Sequence, residues 1–528
     1  MTTRFSLSRI GRASLITIGA IAAMAAPLGA QAPARAKPAA QTPAPTGPVM
    51  DLSMDQAVNM SMETNLGLKA AKINVDVAAQ GIVGSRAAFL PQLRGQVSTS
   101  NSDRTASSFT DLGATTISNG SFGVTTSVSQ FLPWYGGSYQ VAWSNSRSTT
   151  SSVGASFNPT LSSSFSASYT QPLLQGFKVD SARVGLETSE RLKDIADLDY
   201  QTQIVTLQAQ VRDAYLNLVA AVESQKVIGE NMDAAQQLLD RAKASVAVGA
   251  SAQIEVTQAE ANVATNEVSV IGAQAQIDAA QDALRSLILD PSRPDYWDVQ
   301  FNATDKIEVS PHPVDVNAAI TNALANRIDL IEARKNIAIT DLNLRLDKDL
   351  TRPAVTAGLS YSASGTGGTQ NTYTDTLPLV LISQTTKGFG SVLGDAFGGA
   401  FPSWSVGVNV AYPIGKTAAE SNLARAQLQK NQQVINVKDL ELQVTAAVRQ
   451  AVRDVQTNYQ RVQASEASVE ANSRQYDAEQ RKQDVGLSTT FDVLQKQVLL
   501  AQARLTLLSS KIAYNQALQE LERVQRIR

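Results

Sequence analysis

The sequence predicts a mixed fold in which long α-helical hairpins are joined to membrane-spanning β-strands, and in which this unit occurs twice. Three observations support this prediction. Two long segments contain no proline and carry apolar residues at seven-residue spacing, which indicates coiled-coil helices. Segments between them alternate apolar and polar residues, as strands with two different faces do. The order of helix, strands and long hairpin then repeats along the chain.

Composition narrows the function classes. The 528 residues include no cysteine and one histidine, and the formal net charge is −2. Without cysteine there is no disulfide, thiolate metal site or cysteine nucleophile, and one histidine argues against a histidine metal cage or catalytic triad. A chain this close to neutral lacks the basic excess typical of nucleic-acid binding. We therefore predict no cofactor, no metal site and no nucleic-acid partner.

Residues 1–30 are predicted to be a cleaved signal peptide. Arginines and an apolar run at 13–26 precede a group of small residues, which is the usual order of a secretory signal. Cleavage after Ala30 is favoured over cleavage after Ala32, because a proline would adjoin the second site. The alternative, a short membrane anchor, requires a longer apolar run. Residues 31–49, rich in alanine and proline, are expected to form a disordered leader.

Two segments without proline, 173–290 and 414–528, are predicted to be helical hairpins. Each carries an apolar seven-residue ladder that is broken once at a Val-Gly pair and then resumes. The ascending helix of the first, about 181–247, would be ~100 Å long at 1.5 Å per residue. The alternative is an amphipathic helix on a globular core, but such helices rarely exceed about 25 residues without caps.

The chain is predicted to be an internal duplication. A shift of 237 residues superposes Val211 on Val448 and also superposes the two Val-Gly breaks, and a shift of 262 superposes the helices that precede the strands. We divide the chain into repeat 1 (50–300), a linker (301–314) and repeat 2 (315–528). Their parts are helices 52–90, β region 91–172 and hairpin 176–289 in repeat 1, and helices 315–350, β region 353–413 and hairpin 417–525 in repeat 2.

The β regions are predicted to cross a membrane. Residues 404–412 alternate large apolar with small or polar residues, and segments of about 9–11 such residues suit strands between lipid and water. A soluble β-sandwich, the alternative, shows the same alternation. Further strand-like sequence at 122–145 would either enlarge an outer loop or change the strand count. The aromatic residues expected to form an interfacial belt are Trp134, Trp143, Trp404 and Tyr412.

One chain of this kind cannot close its own sheet. Four to six strands are too few for a barrel with a useful lumen, and unpaired strand edges are not tolerated in lipid. The four long helices form only a curved wall. We therefore expect several copies to assemble into one tube, part β and part α.

Together these features resemble the TolC family of outer-membrane efflux proteins. The resemblance is carried by the sequences after the Val-Gly breaks (248–256 and 485–494) and by the strand ends at 169–172 and 411–413. It implies a homotrimer with a 12-stranded outer-membrane β-barrel, about four strands per chain, which continues into a long periplasmic α-helical barrel. It also implies a periplasmic membrane-fusion (adaptor) protein and an inner-membrane pump of RND or ABC type as partners.

The resemblance also assigns roles to residues at the hairpin tips. Asp492 and Glu255, at matching positions after the two breaks, are expected to form a periplasmic gate or constriction with a preference for cations, and the alternative is that they are solvated charges. Ser488 and Gln495 replace a basic residue and an aspartate of the best-known members, so the ionic latch of those members is not expected here. The adaptor-docking residues would be Val248, Gly249, Ala250, Ser251, Val485, Gly486, Leu487 and Ser488, whose glycines alternatively serve only as helix ends.

The implied function is a passive exit duct of a tripartite efflux or type I secretion system, and not an enzyme. His312 lies between two prolines of the linker, and the glycine-rich segment 388–394 is expected neither to follow a strand nor to open a helix, as a nucleotide-binding loop would. A general outer-membrane porin, or a periplasmic coiled-coil scaffold or adaptor, remains the alternative. The substrate, whether drug, metal, siderophore or polypeptide, is left open.

Overall fold

A computed structural model describes residues 47–107, 114–249, 252–305, 307–374, 380–415 and 417–525. The predicted signal peptide, and the predicted leader up to residue 46, lie outside the described residues. The elements, in chain order, are β1 (Val49–Leu52), α1 (Met54–Thr64), α2 (Leu66–Ala87), β2 (Gln92–Thr105), β3 (Thr116–Phe131), β4 (Ser138–Thr150), β5 (Phe157–Pro172), α3 (Ser181–Ala247), α4 (Gln253–Ile288), β6 (Gln300–Ala303), α5 (Val316–Asn326), α6 (Ile328–Leu350), β7 (Ala354–Tyr373), β8 (Leu381–Lys387), α7 (Phe389–Gly398), β9 (Pro402–Ala411), α8 (Ala418–Asp484) and α9 (Thr490–Gln525).

The two predicted hairpins are present, and their helices have matched lengths. Helices α3 and α8 each have 67 residues, and α4 and α9 each have 36. Both ends of each pair are offset by the 237 residues found in the sequence, and the starts of α1 and α5, like those of α2 and α6, are offset by 262. At 1.5 Å per residue, α3 and α8 are each about 100 Å long.

Each hairpin buries its apolar ladder together with the short helices of the same repeat. In repeat 1, Val211 and Leu218 of α3 pack with Leu284 of α4 and with α1 and α2. In repeat 2, Val448 and Val455 of α8 pack with α9, α5 and α6. Burying each such side chain stabilises the fold by about 1.5–3 kcal/mol. The ladders read from the sequence are therefore the helix-packing positions.

A small parallel sheet joins the start of the chain's described part to the linker. Strand β1 pairs with β6, Val49 lying opposite Gln300. The buried Tyr215 of α3 donates its hydroxyl to Leu52 O at 2.9 Å and accepts from Asp305 N at 3.2 Å. Regular structure thus begins at Val49, which the sequence placed in the leader, and it occupies the start of the predicted linker.

The remaining seven strands form one antiparallel sheet, called here the large sheet. Its order is β2-β3-β4-β5-β7, and β7 pairs on its far side with β9 along its first half and with β8 along its second. The sheet is therefore six strands across. The expectation of about four strands per chain is wrong for this sheet, because β3 and β4 pair fully with their neighbours instead of forming an outer loop.

The two faces of the large sheet differ in chemistry. Strand register places residues in rows that cross all six strand positions, and successive rows point to opposite faces. One row on the apolar face consists of Leu93, Val128, Val141, Ala167, Tyr361 and Trp404. The next row, on the serine-rich face, consists of Arg94, Ser127, Ala142, Ser166, Ser362 and Ser403.

Helix α7 corrects a second expectation. The glycine-rich segment 388–394 does follow a strand, β8, and it does open a helix, α7. The helix lies on the apolar face of the large sheet, where Val392 packs over Gly367 and the Phe397 ring is 5.6 Å from that of Trp143. Its amphipathic sequence is thus used to cover the sheet.

In the part of the chain that the structure describes, no helix is both long enough and apolar enough to cross a membrane.

Candidate functional site

The first hairpin tip turns on a glycine in a left-handed conformation. Helix α3 ends at Ala247, Val248 caps it with an exposed side chain, and Gly249 has φ +73°. Left-handed backbone is accessible to glycine without strain. Ala250 and Ser251, predicted to take part in docking, lie outside the described residues. Helix α4 begins at Gln253 without a side-chain cap.

The second tip has the same turn and more hydrogen bonds. Gly486 has φ +76°, and the Leu487 amide donates to Lys482 O at 2.8 Å, which closes the helix end as a Schellman-type cap does. The exposed side chains of Val485 and Leu487 flank this glycine. Open space surrounds the Cα atoms of both tip glycines, since a Cβ built at Gly249 or Gly486 would meet no atom within 4 Å.

Ser488 pins the second tip to the end of α8. Its hydroxyl donates to Glu479 Oε1 at 2.5 Å, and Lys482 Nζ lies 3.0 Å from Glu479 Oε2. These two partners, Ser488 first, lower the pKa of Glu479 below its usual range. The predicted docking residue Ser488 therefore has a local structural contact.

Asp492 forms a capping box at the start of α9. The hydroxyl of Thr489 donates to Asp492 Oδ2 at 2.7 Å, and the amide of Asp492 donates to Thr489 Oγ1 at 3.2 Å. Hydrogen bonds from the side chain and then the main chain of Thr489 lower the pKa of Asp492. Asp492 is thus held as an exposed carboxylate, which is compatible with its predicted place at a constriction.

Glu255 connects the two hairpins. Its Oε2 accepts a hydrogen bond from the buried hydroxyl of Thr490 at 2.8 Å, and Gln483 Nε2 donates to the same Thr490 oxygen at 3.1 Å. The starts of α4 and α9, far apart in sequence, are therefore bonded side by side. The two predicted gate carboxylates belong to one contiguous region.

A buried polar layer fixes the hairpins to each other farther from the tips. Gln497 of α9 donates to both O and Oδ1 of Asn231 on α3 at 3.0 Å, and Asn231 Nδ2 donates to Asn266 Oδ1 of α4 at 2.6 Å. Gln497 and Asn266 are buried. Polar residues at core positions of coiled coils specify register, so this layer sets how α3, α4 and α9 align.

An apolar groove lies beside the tips, between α4 and α9. It has a volume of about 460 Å³, and the sequence analysis did not identify it. Phe491, Leu494 and Val498 recur at spacings of three and four, a second stripe next to the ladder through Val493, and that stripe was the available signal. Phe491 and Val498 are exposed. The groove residues are Gln258, Ala261, Asn262, Phe491, Leu494, Gln495, Val498 and Leu499.

The predicted aromatic belt falls at two levels of the large sheet. Trp404 and Trp143 are on the apolar face in neighbouring levels of that face, and Trp143 Nε1 donates to Ser163 Oγ at 3.0 Å. Tyr412 follows the end of β9, eight residues beyond Trp404, and Trp134 lies in the turn between β3 and β4. Eight residues correspond to about 26 Å along a strand, similar to the height of an outer-membrane apolar band, about 25 Å.

Comparison with known proteins establishes the family. Residues 57–288 and 319–524, well over half of the chain, match the family described as outer membrane efflux protein. The chain therefore belongs to the outer membrane efflux protein family, and its resemblance to the TolC family is confirmed. The family and the fold are those of channels rather than enzymes.

Individual relatives are distant. The outer membrane protein TolC of Escherichia coli (strain K12) is 24% identical over 349 residues, covering 62% of this chain and 63% of TolC. The outer membrane efflux protein BepC of Brucella suis biovar 1 is 25% identical over 401 residues, covering 72% and 74%. The match to TolC thus spans slightly less than two thirds of that relative's length.

Solved structures show the same fold. The outer membrane channel CmeC of Campylobacter jejuni superposes with a TM-score of 0.65 at 16% identity, covering 89% of this chain and 85% of CmeC. The outer membrane protein VceC of Vibrio cholerae gives a TM-score of 0.61 at 14% identity, covering 89% and 95%.

Proposed function

We propose that this chain forms a homotrimeric duct of the bacterial outer membrane, through which a tripartite efflux or type I secretion system passively exports its substrates. The chain would be exported by a cleaved signal peptide, and three copies of its large sheet would close a barrel in outer-membrane lipid. The long hairpins would form a periplasmic tube. A periplasmic adaptor and an inner-membrane pump of RND or ABC type would supply cargo and energy.

The observation that carries this proposal is the joining of a two-faced sheet to helices about 100 Å long in one chain. The apolar face suits lipid and the serine-rich face suits a water-filled lumen. A general porin would consist mostly of strands, and a periplasmic scaffold would have no use for an apolar sheet face. The equal helix lengths and constant offsets support an internal duplication, each repeat supplying one wall segment.

The tips support docking of an adaptor. Both turns combine a left-handed glycine that has open space above it with exposed valine or leucine side chains. The groove along Phe491 and Val498 adds an apolar surface next to the second tip. A helical partner with apolar side chains at spacings of three and four would fit such a surface. We place the gate nearby, at Asp492 and Glu255.

The test is fractionation combined with export. Deleting the gene should abolish export of the partner pump's substrate while leaving uptake of small sugars unchanged, and the mature protein should occur in the outer-membrane fraction as a heat-dissociable trimer. A general porin would instead alter sugar permeability. A water-soluble monomeric mature chain would refute the proposal.

A further inference from the structure

We propose that three copies of this chain close an 18-stranded barrel, and that the hairpin of β3 and β4 widens it beyond the 12 strands expected from the sequence. Each copy contributes six strands across its large sheet. The inference rests on the proposed trimeric duct and adds the width of its membrane channel and the edges by which copies join.

Strands β3 and β4 carry the same two faces as the rest of the sheet. Val128 and Val141 stand in the row that runs from Leu93 to Trp404, all six members of which are apolar. The adjacent row on the other face contains Ser127 of β3. Because these strands lie between β2 and β5, they meet the same lipid and the same lumen water as their neighbours.

The hairpin also spans the full height of the sheet. Its turn, residues 132–137, is fastened beside the start of α3: Tyr135 stacks on Phe177 with ring centroids 4.9 Å apart, and Gln171 Nε2 donates to Tyr135 O at 2.7 Å. Gly136 approaches Gly176 so closely that a Cβ would lie 2.3 Å from Gly176 O. A hairpin belonging to an outer loop would have no contacts at this end.

Helix α7 joins β4 to the second repeat from the apolar side. The ring of Phe397 is 5.6 Å from Trp143 of β4 and 6.0 Å from Phe165 of β5. The main-chain oxygen of Val392 would be 2.2 Å from a Cβ at Gly365 of β7. One helix thus packs on three adjacent strands, which makes β4 part of the same wall as β7.

The free edges of the sheet fit a second copy of this chain. Strand β2 and strand β9 are exposed along their whole lengths. All pairings in the sheet are antiparallel, so with six strands across, β2 and β9 run in opposite directions. The β9 edge of one copy can therefore pair antiparallel with the β2 edge of the next. In lipid, both edges must be paired.

The added strands change the size of the channel. With strands about 4.8 Å apart and tilted by about 40°, 18 strands give a backbone diameter of about 36 Å, and 12 strands give about 24 Å. The cross-section is then roughly doubled. The narrow periplasmic tips, and not the barrel, would limit the size of cargo.

Electron cryomicroscopy of the detergent-purified full-length protein tests the width. We expect a trimer with 18 strands and a barrel diameter of about 36 Å. Deleting residues 116–150 removes β3 and β4 but keeps the strand directions alternating, and should narrow the barrel by about a third. A wild-type trimer with 12 strands overturns the inference and leaves the duct standing, whereas the absence of any trimer overturns the proposed function itself.

Single-cysteine labelling of the wild-type background tests the same point without a deletion. The chain has no cysteine, so Ser127→Cys and Val128→Cys can each carry one spin label, with Ser362→Cys and Tyr361→Cys as matched controls in the same rows of β7. We expect labels at 128 and 361 to be accessible to oxygen in lipid, and labels at 127 and 362 to an aqueous nickel reagent. Aqueous exposure at both 127 and 128, with normal controls, would place the hairpin outside the barrel wall and refute the inference.

Discussion

The hydroxyl of Thr490 donates to Glu255 Oε2 at 2.8 Å and so bonds the first turn of α9 to the first turn of α4. Thr490 is buried, and its oxygen also accepts from Gln483 at the end of α8. A single threonine thus links both hairpins at the end where the duct is proposed to narrow. The position of one tip depends on that of the other.

Thr490→Val should loosen the two tips relative to each other. Valine keeps the shape but removes the donor to a carboxylate, an interaction worth about 1.5–3 kcal/mol, and leaves Glu255 without that partner. We expect amide exchange at Val256 and Val493 to rise by roughly tenfold or more, measured by hydrogen exchange and mass spectrometry. Thr490→Ser keeps the hydroxyl and serves as the control. Equal exchange in the valine and serine variants would show that the bond does not hold the tips.

Two substitutions at Asp492 separate charge from capping. Asp492→Asn removes the charge but retains an oxygen that can accept from Thr489, whereas Asp492→Ala removes both. If the carboxylates ring the mouth, both variants should lower cation selectivity in planar bilayers. Only Asp492→Ala should also raise conductance, because it frees the start of α9. Ion preference unchanged in both variants would remove Asp492 from the constriction.

Acid should weaken the second tip. The pKa values of Asp492 and Glu479 are lowered in the fold from ordinary values of 3.8 and 4.5. The stability that they contribute is therefore fully present above those ordinary values and is lost as the pH falls through the lowered ones. After correction for intrinsic rates, exchange at residues 485–493 relative to the core around Val448 should be constant from pH 7 to about 5 and should rise below about 4. The double variant Asp492→Asn, Glu479→Gln should not show this rise.

The long helices could be predicted well because their signal is regular. The absence of proline and the seven-residue ladder determined α3 and α8, and burial of Val211 and Val448 depends on that spacing alone. Strands β3 and β4 were underestimated. Their serine-rich face carries few large residues, so the sequence showed only short alternating runs, and pairing with β2 and β5 supplies what the runs lack. The bond between Thr490 and Glu255 depends on how the hairpins pack together, which local sequence does not reveal.

Gly486 should distinguish a docking surface from a simple helix end. Alanine at φ +76° costs about 1–2 kcal/mol in backbone strain, whereas asparagine tolerates this conformation better. If an adaptor inserts above the glycine, Gly486→Ala and Gly486→Asn should both weaken adaptor binding, measured by calorimetry with purified proteins. If the glycine only closes the helix, Gly486→Asn should bind as the wild type does. The same pair of substitutions at Gly249 repeats the test at the first tip.

Arginine scanning of adjacent rows should identify the lipid face of β3. Val128→Arg places a charge on the apolar face, where an arginine near the middle of a bilayer costs about 2–4 kcal/mol. Ser127→Arg places it on the serine-rich face, where Arg94 already stands in the same row. We expect the amount of assembled protein in the outer membrane, measured by gel shift before and after heating, to fall strongly for Val128→Arg and to stay near wild type for Ser127→Arg. The reverse order would mean that the serine-rich face is turned to lipid, because only then would the charge at position 127 lie in the apolar band.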